Sequence, residues 1–550
     1  MLLGIDVGGT FTDAVIIDGT EIVAQAKKTT THENVLDGIL AALDGVLQEQ
    51  FSKAIERVVI SSTIVTNALT ENKIEPVFLA VMTGPGANVS GKFPVEPYYV
   101  EGYVDHRGKI TAKPDWSKVE AELGKNRYGI CAASGKFAVR EPQQEALLGD
   151  RLLHCGYEKV FLGSELSGEL NFVRRTNSAY FAAAVYKLFL DFCQKVVQAL
   201  AKRGIVAPVH ILKADGGTLP IEVALEQPIE AVFTGPAASV LGVEAIAAPE
   251  VNSISLDVGG TTTDIAFWEQ GLPLMARKGA DINGYHTAVR SFHMRSIGIG
   301  GDSCVKRNSD GSYKVGPERQ GPAVAVGGEA VTLSDALITA GYISFGDVER
   351  AKAAVAVLGG NPVSEAKKIV QAAVLSITST IEEMLAEWAK QPVYTVDDVI
   401  KGTEFVPEQL IGVGGGSLGL VKAVGEALEL PVNIPKGATV ANAIGAALAR
   451  PTLSAGLRAD TTEGFYLIPE EGRKQRLPQD FDKQTAMNIL SKWLENKTRE
   501  WQLPDQKTEL ISYEHFATVH SYWDSGEIYS LRMQLKPGIL NKVEGKEVAF

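Results

Sequence analysis

One octapeptide occurs twice in this chain. Asp6-Val-Gly-Gly-Thr-Phe-Thr-Asp13 returns, with a single letter changed, as Asp257-Val-Gly-Gly-Thr-Thr-Thr-Asp264. A short apolar run precedes each copy (Leu2 to Ile5, Ile254 to Leu256) and another follows it (Ala14 to Ile17, Ile265 to Trp268). Apolar run, glycine turn and apolar run together read as a β-hairpin with its tip at Gly-Gly-Thr. Repetition on this scale predicts two similar halves facing each other, each built around one hairpin.

The chemistry suited to such a hairpin is phosphate binding. Glycine leaves no Cβ in the way, so successive N–H groups can converge on an anion, and the threonine hydroxyls add donors. A carboxylate at the end of the first strand cannot itself bind phosphate. It can hold Mg²⁺ through water, and the metal offsets the phosphate charge. Asp6 and Asp257 are therefore the candidates for the Mg²⁺-water shell. Gly8, Gly9, Thr10 and Thr12, with Gly259, Gly260, Thr261 and Thr262, are the candidates for the phosphates. The competing account is a pair of ordinary Asp-Gly turns, which does not require the same flanking Asp and Thr pattern twice.

Length and charge narrow the class. At 550 residues the chain exceeds one hydrophobic core. Its 45% hydrophobic and 22% charged residues are those of a globular protein. A net charge of −13 argues against nucleic acid or an anionic membrane as the main partner. The four cysteines, Cys131, Cys155, Cys193 and Cys304, form no CxxC pair, which fits thiols in a reducing compartment. The N-terminus has no basic-then-apolar leader, and no window is expected to span a membrane, so cytoplasm is the predicted location. The histidines show no HxxH or HxxxH spacing, and His286 and His293 are too far apart in sequence to argue for a metal pair.

Apolar periodicity predicts a helix over Val35 to Leu47 and strands over Val58 to Ser61, Val77 to Met82, Lys159 to Leu162 and His210 to Ala214. Residues 87 to 120 read as loop. Helices are predicted over Ala179 to Lys202, from Thr234-Gly-Pro236 onward, over 347–357 and 364–389, and over Val440 to Ala449. Leu410-Ile-Gly-Val-Gly-Gly-Gly-Ser417 reads as a strand breaking into a glycine loop. Alternating strands and helices mark an α/β architecture. Three of the six tryptophans (Trp493, Trp501, Trp523) lie beyond Pro451, where a helix over Gln484 to Trp501 and strands around Asp524-Ser-Gly526 predict a small α+β appendage. The expected division is 1–250, 251–450 and 451–550.

Two Asp-Gly-Gly-Thr hairpins followed by a late Gly-Val-Gly-Gly-Gly loop resemble the actin, hexokinase and Hsp70 superfamily. That resemblance implies a two-lobed ATPase fold of duplicated RNase H-like domains, with Gly414, Gly415 and Gly416 against the adenosine of ATP. Within the superfamily the chain is similar to the A-type subunit of the hydantoinase/oxoprolinase family over about residues 1 to 450. The signals are Gly4-Ile-Asp-Val-Gly-Gly-Thr-Phe-Thr-Asp13, Val65-Thr-Asn-Ala-Leu69, Ser164-Glu-Leu-Ser-Gly168 with Arg174-Arg-Thr-Asn177, Asp215-Gly-Gly217, Gly235-Pro-Ala-Ala238, the second hairpin, Gly300-Gly-Asp302, Val315-Gly-Pro-Glu-Arg319 and Val440-Ala-Asn-Ala-Ile-Gly445. The resemblance implies ATP-dependent opening of a cyclic amide such as a hydantoin or 5-oxoproline, with a B-type subunit or self-association as open partners. A ketone carboxylase component is the alternative within the family. A reactivating ATPase that remodels a partner enzyme is the alternative from another class.

Further candidates carry two readings each. Asp13 and Asp264 either orient the hairpins or polarise water, against a capped turn. Gly300, Gly301 and Asp302 either approach the cleft or form a structural turn. Arg174 and Arg175 fit a solvated surface or interface better than an anionic ligand. Thr66 and Asn67 fit a helix cap better than a ligand contact at a strand end.

Overall fold

The computed structural model describes every residue except 31–34, 124–128, 391–404, 505, 522–523 and 545–550. His32 and Trp523 lie outside the described residues.

Each octapeptide bends a hairpin at the centre of its own sheet. Leu2–Val7 pairs antiparallel with Phe11–Asp18 and parallel with Arg57–Ser62. Glu21–Thr29 closes one edge of this six-stranded sheet, and Val209–Leu212 with Thr218–Pro220 closes the other. The second sheet repeats the plan. Ser253–Val258 pairs antiparallel with Thr263–Glu269 and parallel with Gln409–Val413, and Met294–Ile297 lies along the outer side of Thr263–Glu269. Central strands are covered on both faces, so their sequences are apolar runs without alternation. Leu3, Ile5, Ile254 and Leu256 are accordingly fully buried. The fold is α/β and two-lobed, as the duplicated motif predicts.

Two helices of small residues cross between the lobes. Thr234–Ile246 and Ala441–Leu448 meet backbone to backbone: a Cβ on Gly445 would lie 2.1 Å from the Ala238 carbonyl oxygen, and one on Gly242 would lie 2.3 Å from that of Ala441. The second helix also lies directly on the central strand, where a Cβ on Gly4 would reach 2.1 Å from the Ala443 oxygen. Only glycine permits such approach. These contacts seat the third glycine loop and the first hairpin on one rigid support.

Several elements depart from expectation. The long helix starts at Phe172, not Ala179, because Asn171 caps it by accepting from the Arg174 N–H at 3.2 Å. Residues 87–120 carry three short strands and the helix Trp116–Leu123. Tyr98–Tyr99 joins Phe78–Met82, Ile130–Gly135 and Lys159–Leu162 in a separate parallel sheet. Leu333–Thr339 is an additional helix, opened by a capping box of Thr332 and Asp335 that the sequence displays just before an apolar run. Beyond residue 451, Lys483–Glu500 packs on a five-stranded antiparallel sheet around Leu457, Leu490, Leu494 and Leu531. Asp524-Ser-Gly526 opens the last strand, Asp524–Leu535.

One helix also corrects the membrane expectation. Pro362–Ala389 has 28 residues and a window of mean hydropathy 1.3, enough to cross a membrane by length and composition. Its apolarity has a local cause: Ile369, Ile377, Ile381 and Met384 are buried in the core of the second lobe. The four cysteines are free thiols, three of them buried.

Candidate functional site

The two hairpins point their tips into one cleft of about 1320 Å³ between the lobes. Asp6, Gly8, Gly9, Thr10 and Asp13 line it from one side. Asp257, Gly259, Gly260, Thr261, Thr262, Asp264, Gly301 and Asp302 line it from the other, and Gly414, Gly415 and Gly416 complete the wall. Of the residues singled out from the sequence for phosphate, metal or adenosine, only Thr12 and Gly300 are not on its surface. Thr12 is fully buried and shares a 2.9 Å hydrogen bond with Thr30, whose hydroxyl also donates to the Gly8 carbonyl at 2.9 Å. Gly300 lies behind the second hairpin, where a Cβ would come 2.6 Å from Gly260.

Both turns close in the same way. Gly8 N–H donates to Phe11 O at 3.0 Å, and Gly259 N–H donates to Thr262 O at 2.9 Å. The second tip is braced further by Gly301 N–H on Gly259 O (3.0 Å) and Asp302 N–H on Gly260 O (2.7 Å). The tips approach each other across the cleft: a Cβ on Gly260 would lie 3.0 Å from both Thr10 Oγ1 and Asp302 Oδ2. A Cβ on Gly9 would meet nothing within 4 Å.

Carboxylates gather on the cleft floor. Register sets Asp6 opposite Asp13 and Asp257 opposite Asp264. Burial pushes the Asp6 carboxyl up to about 7, with Asp13 and Asp257 adding to the rise and Ser61 and Lys27 opposing it. Burial likewise raises Asp264 to about 7, helped by Asp257 and opposed by Ser296. Asp13 and Asp257 are raised for the same first reason, against Lys27 at Asp13 and against Asn442 and Ser239 at Asp257. A cation placed among these groups would favour their charged forms.

Among the described cleft-lining residues three polar atoms are buried without a protein partner, Asp6 Oδ1, Thr10 Oγ1 and Gln25 Oε1. An orphaned carboxylate oxygen is costly unless something binds it. Among the described residues no group of three or more His, Cys, Asp or Glu forms a metal cage. A pair of carboxylates facing a phosphate-sized space is instead the oxygen donor set that suits Mg²⁺, which keeps several waters and takes its remaining ligands from phosphate.

The sequence reading gave no site role to several polar cleft residues, among them Lys27, Asn442, Arg319 and Lys422. Lys27 donates to Asp13 Oδ1 (2.9 Å), Asp13 Oδ2 (2.7 Å) and the Thr439 carbonyl (3.1 Å). Asn442, named from the sequence within the family signal Val440 to Gly445, donates to Asp257 Oδ2 at 3.0 Å. Arg319 donates from Nε to Asp302 Oδ2 at 3.0 Å, and burial raises Asp302 against that neighbour. Lys422 lines the cleft beyond the glycine loop. For Lys27 the signal was only partial: the turn that pairs Asp18 with Glu21 would by itself set Ala26 opposite Asp13, and the register shift between Ile16 and Ile17 brings Lys27 there instead.

Other candidates sit elsewhere. Arg175 is fully buried, which overturns the surface reading. It donates to the Gly135 (2.8 Å) and Lys136 (3.3 Å) carbonyls beside the buried Glu145, which accepts from Ser164 N and Oγ at 2.7 and 2.6 Å. Arg174 is half-buried one position before it. Thr66 and Asn67 lie inside the helix Ile64–Thr70, whose N-cap position is Thr63. Thr66 Oγ1 accepts from Phe233 N–H at 2.8 Å and so braces the start of the distant helix Thr234–Ile246; Asn67 donates to Thr63 at 3.3 Å. His286 pairs with Asp281 at 3.2 Å, and His293 packs on Phe267 and Trp388.

Duplicated hairpin sheets around one cleft define a two-lobed α/β fold. Comparison with known proteins narrows this class. The hydantoinase/oxoprolinase family model matches residues 175–454, and the model of the family's N-terminal region matches residues 2–155. The chain belongs to the hydantoinase/oxoprolinase family. It is 25% identical to the caprolactamase subunit alpha of Pseudomonas jessenii over 70% of this chain and 58% of that protein. It is 23% identical to the 5-oxoprolinase of Saccharomyces cerevisiae over 50% of this chain and 23% of that protein. It is also 23% identical to the acetone carboxylase beta subunit of Xanthobacter autotrophicus over 62% of this chain and 54% of that protein. The match therefore spans between about a quarter and somewhat over half of these relatives' length. The solved ATP-dependent caprolactamase from P. jessenii shares the fold, with a TM-score of 0.72 at 20% identity over 100% of this chain and 89% of that one. Nucleotide-free acetone carboxylase does so with a TM-score of 0.70 at 16% identity, over 98% and 87%.

Proposed function

We propose that this chain binds Mg·ATP in the interlobe cleft and uses it to activate the carbonyl of a cyclic amide for hydrolysis, alone or with a B-type subunit. The observation that carries the reading is the single cleft into which both hairpin tips and the Gly414 to Gly416 loop converge, with an unpartnered Asp6 oxygen at its floor. The family relatives named for caprolactam and 5-oxoproline support a ring amide as substrate.

An unstrained ring amide resists attack by water. Transfer of the γ-phosphoryl group to its oxygen forms a P–O bond there and breaks the bond to the β-phosphate, releasing ADP. Water then adds at the activated carbon, the C–N bond breaks with the amine taking a proton and leaving, and a second water cleaves the resulting acyl phosphate to carboxylate and phosphate. This transfer depends mainly on positioning and charge neutralisation. The backbone at Gly8, Gly9 and Thr10 and at Gly259, Gly260 and Thr261 holds the phosphates from two sides. Asp6 and Asp257 would hold Mg²⁺, which would offset phosphate charge. Asp13 and Asp264 orient the two hairpins or a water. The domain division at about 250 and 450 then makes each of the first two units one jaw of the clamp.

The test is phosphate release from Mg·ATP by the purified chain across hydantoins, 5-oxoproline, lactams, and ketones with bicarbonate. Stimulation by one ring amide, lost in Asp6→Ala and Asp257→Ala, is the expected result. The carboxylase relative supports a second reading, for which stimulation would require a ketone and bicarbonate together. Absence of Mg·ATP binding would sink both. Binding without stimulation would direct the search to the partner subunit.

A further inference from the structure

The repeat is broken at one position. In the first sheet Asp6, Asp13 and Lys27 stand side by side on three adjacent strands. In the second sheet the same register brings together Asp257, Asp264 and Ser296. An ammonium therefore occurs in only one of two otherwise equivalent places.

That ammonium reaches across the lobes. Its bonds to both Asp13 oxygens hold the first hairpin, and its bond to the Thr439 carbonyl holds the turn Ala438–Val440. The same turn accepts the Gly414 N–H at the Ala438 carbonyl, 2.8 Å, and so fixes the third glycine loop. Two residues on, Asn442 donates to Asp257 at the root of the second hairpin. A continuous path, Asp13 to Lys27 to Thr439 to Asn442 to Asp257, thus joins the two hairpins beneath the cleft. Lys27 spends its three donors on this path.

We propose that Lys27 is a positioning residue for phosphoryl transfer, an interlobe strut that sets the first hairpin against the segment carrying Asn442 and Asp257. The proposal rests on the nucleotide-cleft reading above and deepens it. Nucleotide binding draws on many backbone groups of both hairpins and of the glycine loop. Transfer depends on how the two hairpins are held relative to each other, and a displacement on the scale of 1 Å costs about 100-fold. Loss of the strut should therefore fall on turnover and largely spare affinity.

Mg·ATP binding to the wild-type chain is measured first; its absence overturns the cleft reading and the strut with it. Given binding, Lys27→Met and Lys27→Arg are compared for Mg·ATP affinity, phosphate release and amide hydrogen exchange over 438–442. The expected result for Lys27→Met is phosphate release lower by about 100-fold, affinity changed by less than about 5-fold, and faster exchange in 438–442. Lys27→Arg, with the charge and several donors, should recover most of both. A folded Lys27→Met with unchanged release and exchange overturns the strut while leaving the cleft reading intact. Equal losses in affinity and release, unrescued by arginine, would make Lys27 a ligand for the nucleotide and also overturn it. Should Lys27→Met fail to fold, Lys27→Gln, which retains a donor, carries the same comparison.

Discussion

The two hairpins share seven letters in eight and nearly the same backbone, yet they occupy different surroundings. The first has open space beyond Gly9 and a lysine beside its terminal aspartate. The second has Gly260 pressed between Thr10 and Asp302, and a serine beside its terminal aspartate. Local sequence thus dictates the turn, while neighbours from distant segments decide its charge and its room to move. Function on such a fold resides in the placed groups and not in the motif itself.

The largest effect should come from the carboxylates at the hairpin roots. Asp6→Ala and Asp257→Ala are each expected to lower phosphate release by about 100- to 1000-fold, the loss typical of a removed charge-stabilising group. Equal losses would make the clamp symmetric in function as in sequence. A variant with full activity would break the comparison, because its hairpin would then be only a scaffold.

A pH series probes the same floor. Asp6 and Asp264 are raised from 3.8 to about 7 in the folded chain. Between these values the folded state holds protons that the unfolded state has released, so stability is full below about 4 and declines as pH rises through 7. Asp6→Asn and Asp264→Asn remove that decline. In the nucleotide-free protein each variant should exceed wild type by on the order of 1–3 kcal/mol at pH 8 and show no gain at pH 4. Thermal melts at the two pH values check this, and an equal gain at both would rule out the buried-carboxylate explanation.

The glycines sharpen the difference in room. Gly260→Ala must displace Thr10 or Asp302 and should cost about 1–3 kcal/mol of stability. Gly9→Ala meets no atom in the nucleotide-free cleft and should leave the melting midpoint unchanged while weakening Mg·ATP binding. Matching melting losses would mean that the tips are equivalent after all. A small effect on stability belongs to Ser296→Ala. Loss of its hydrogen bond to Asp264 should cost about 0.5–1.5 kcal/mol by denaturant titration.

Much of the site is readable along the chain because each hairpin packs its own chemistry into eight consecutive residues. Glycine spacing and flanking apolar runs set the turn, the strands and the cleft-facing side chains together. Arg175 shows where such reading stops. Starting the helix at Ala179 leaves this residue outside it, whereas Asn171 as the cap places Phe172, Arg175, Ala179 and Ala182 on one buried face. The apolar run at 362–389 likewise cannot distinguish burial in a membrane from burial in a protein core, since both remove the same side chains from water.

By itself the sequence determined the duplication, the hairpins, the glycine loop and hence the two-lobed fold, because all of these follow from local backbone freedom and apolar periodicity. Only the tertiary structure decided that Lys27, Arg319 and Asn442 would meet Asp13, Asp302 and Asp257. Of these pairs, Lys27 with Asp13 depends on a register shift between Ile16 and Ile17; the other two join segments 17 and 185 residues apart. Electrostatic partnership depends on distance through space, and no spacing along the chain encodes that until the sheets and the two crossing helices are packed.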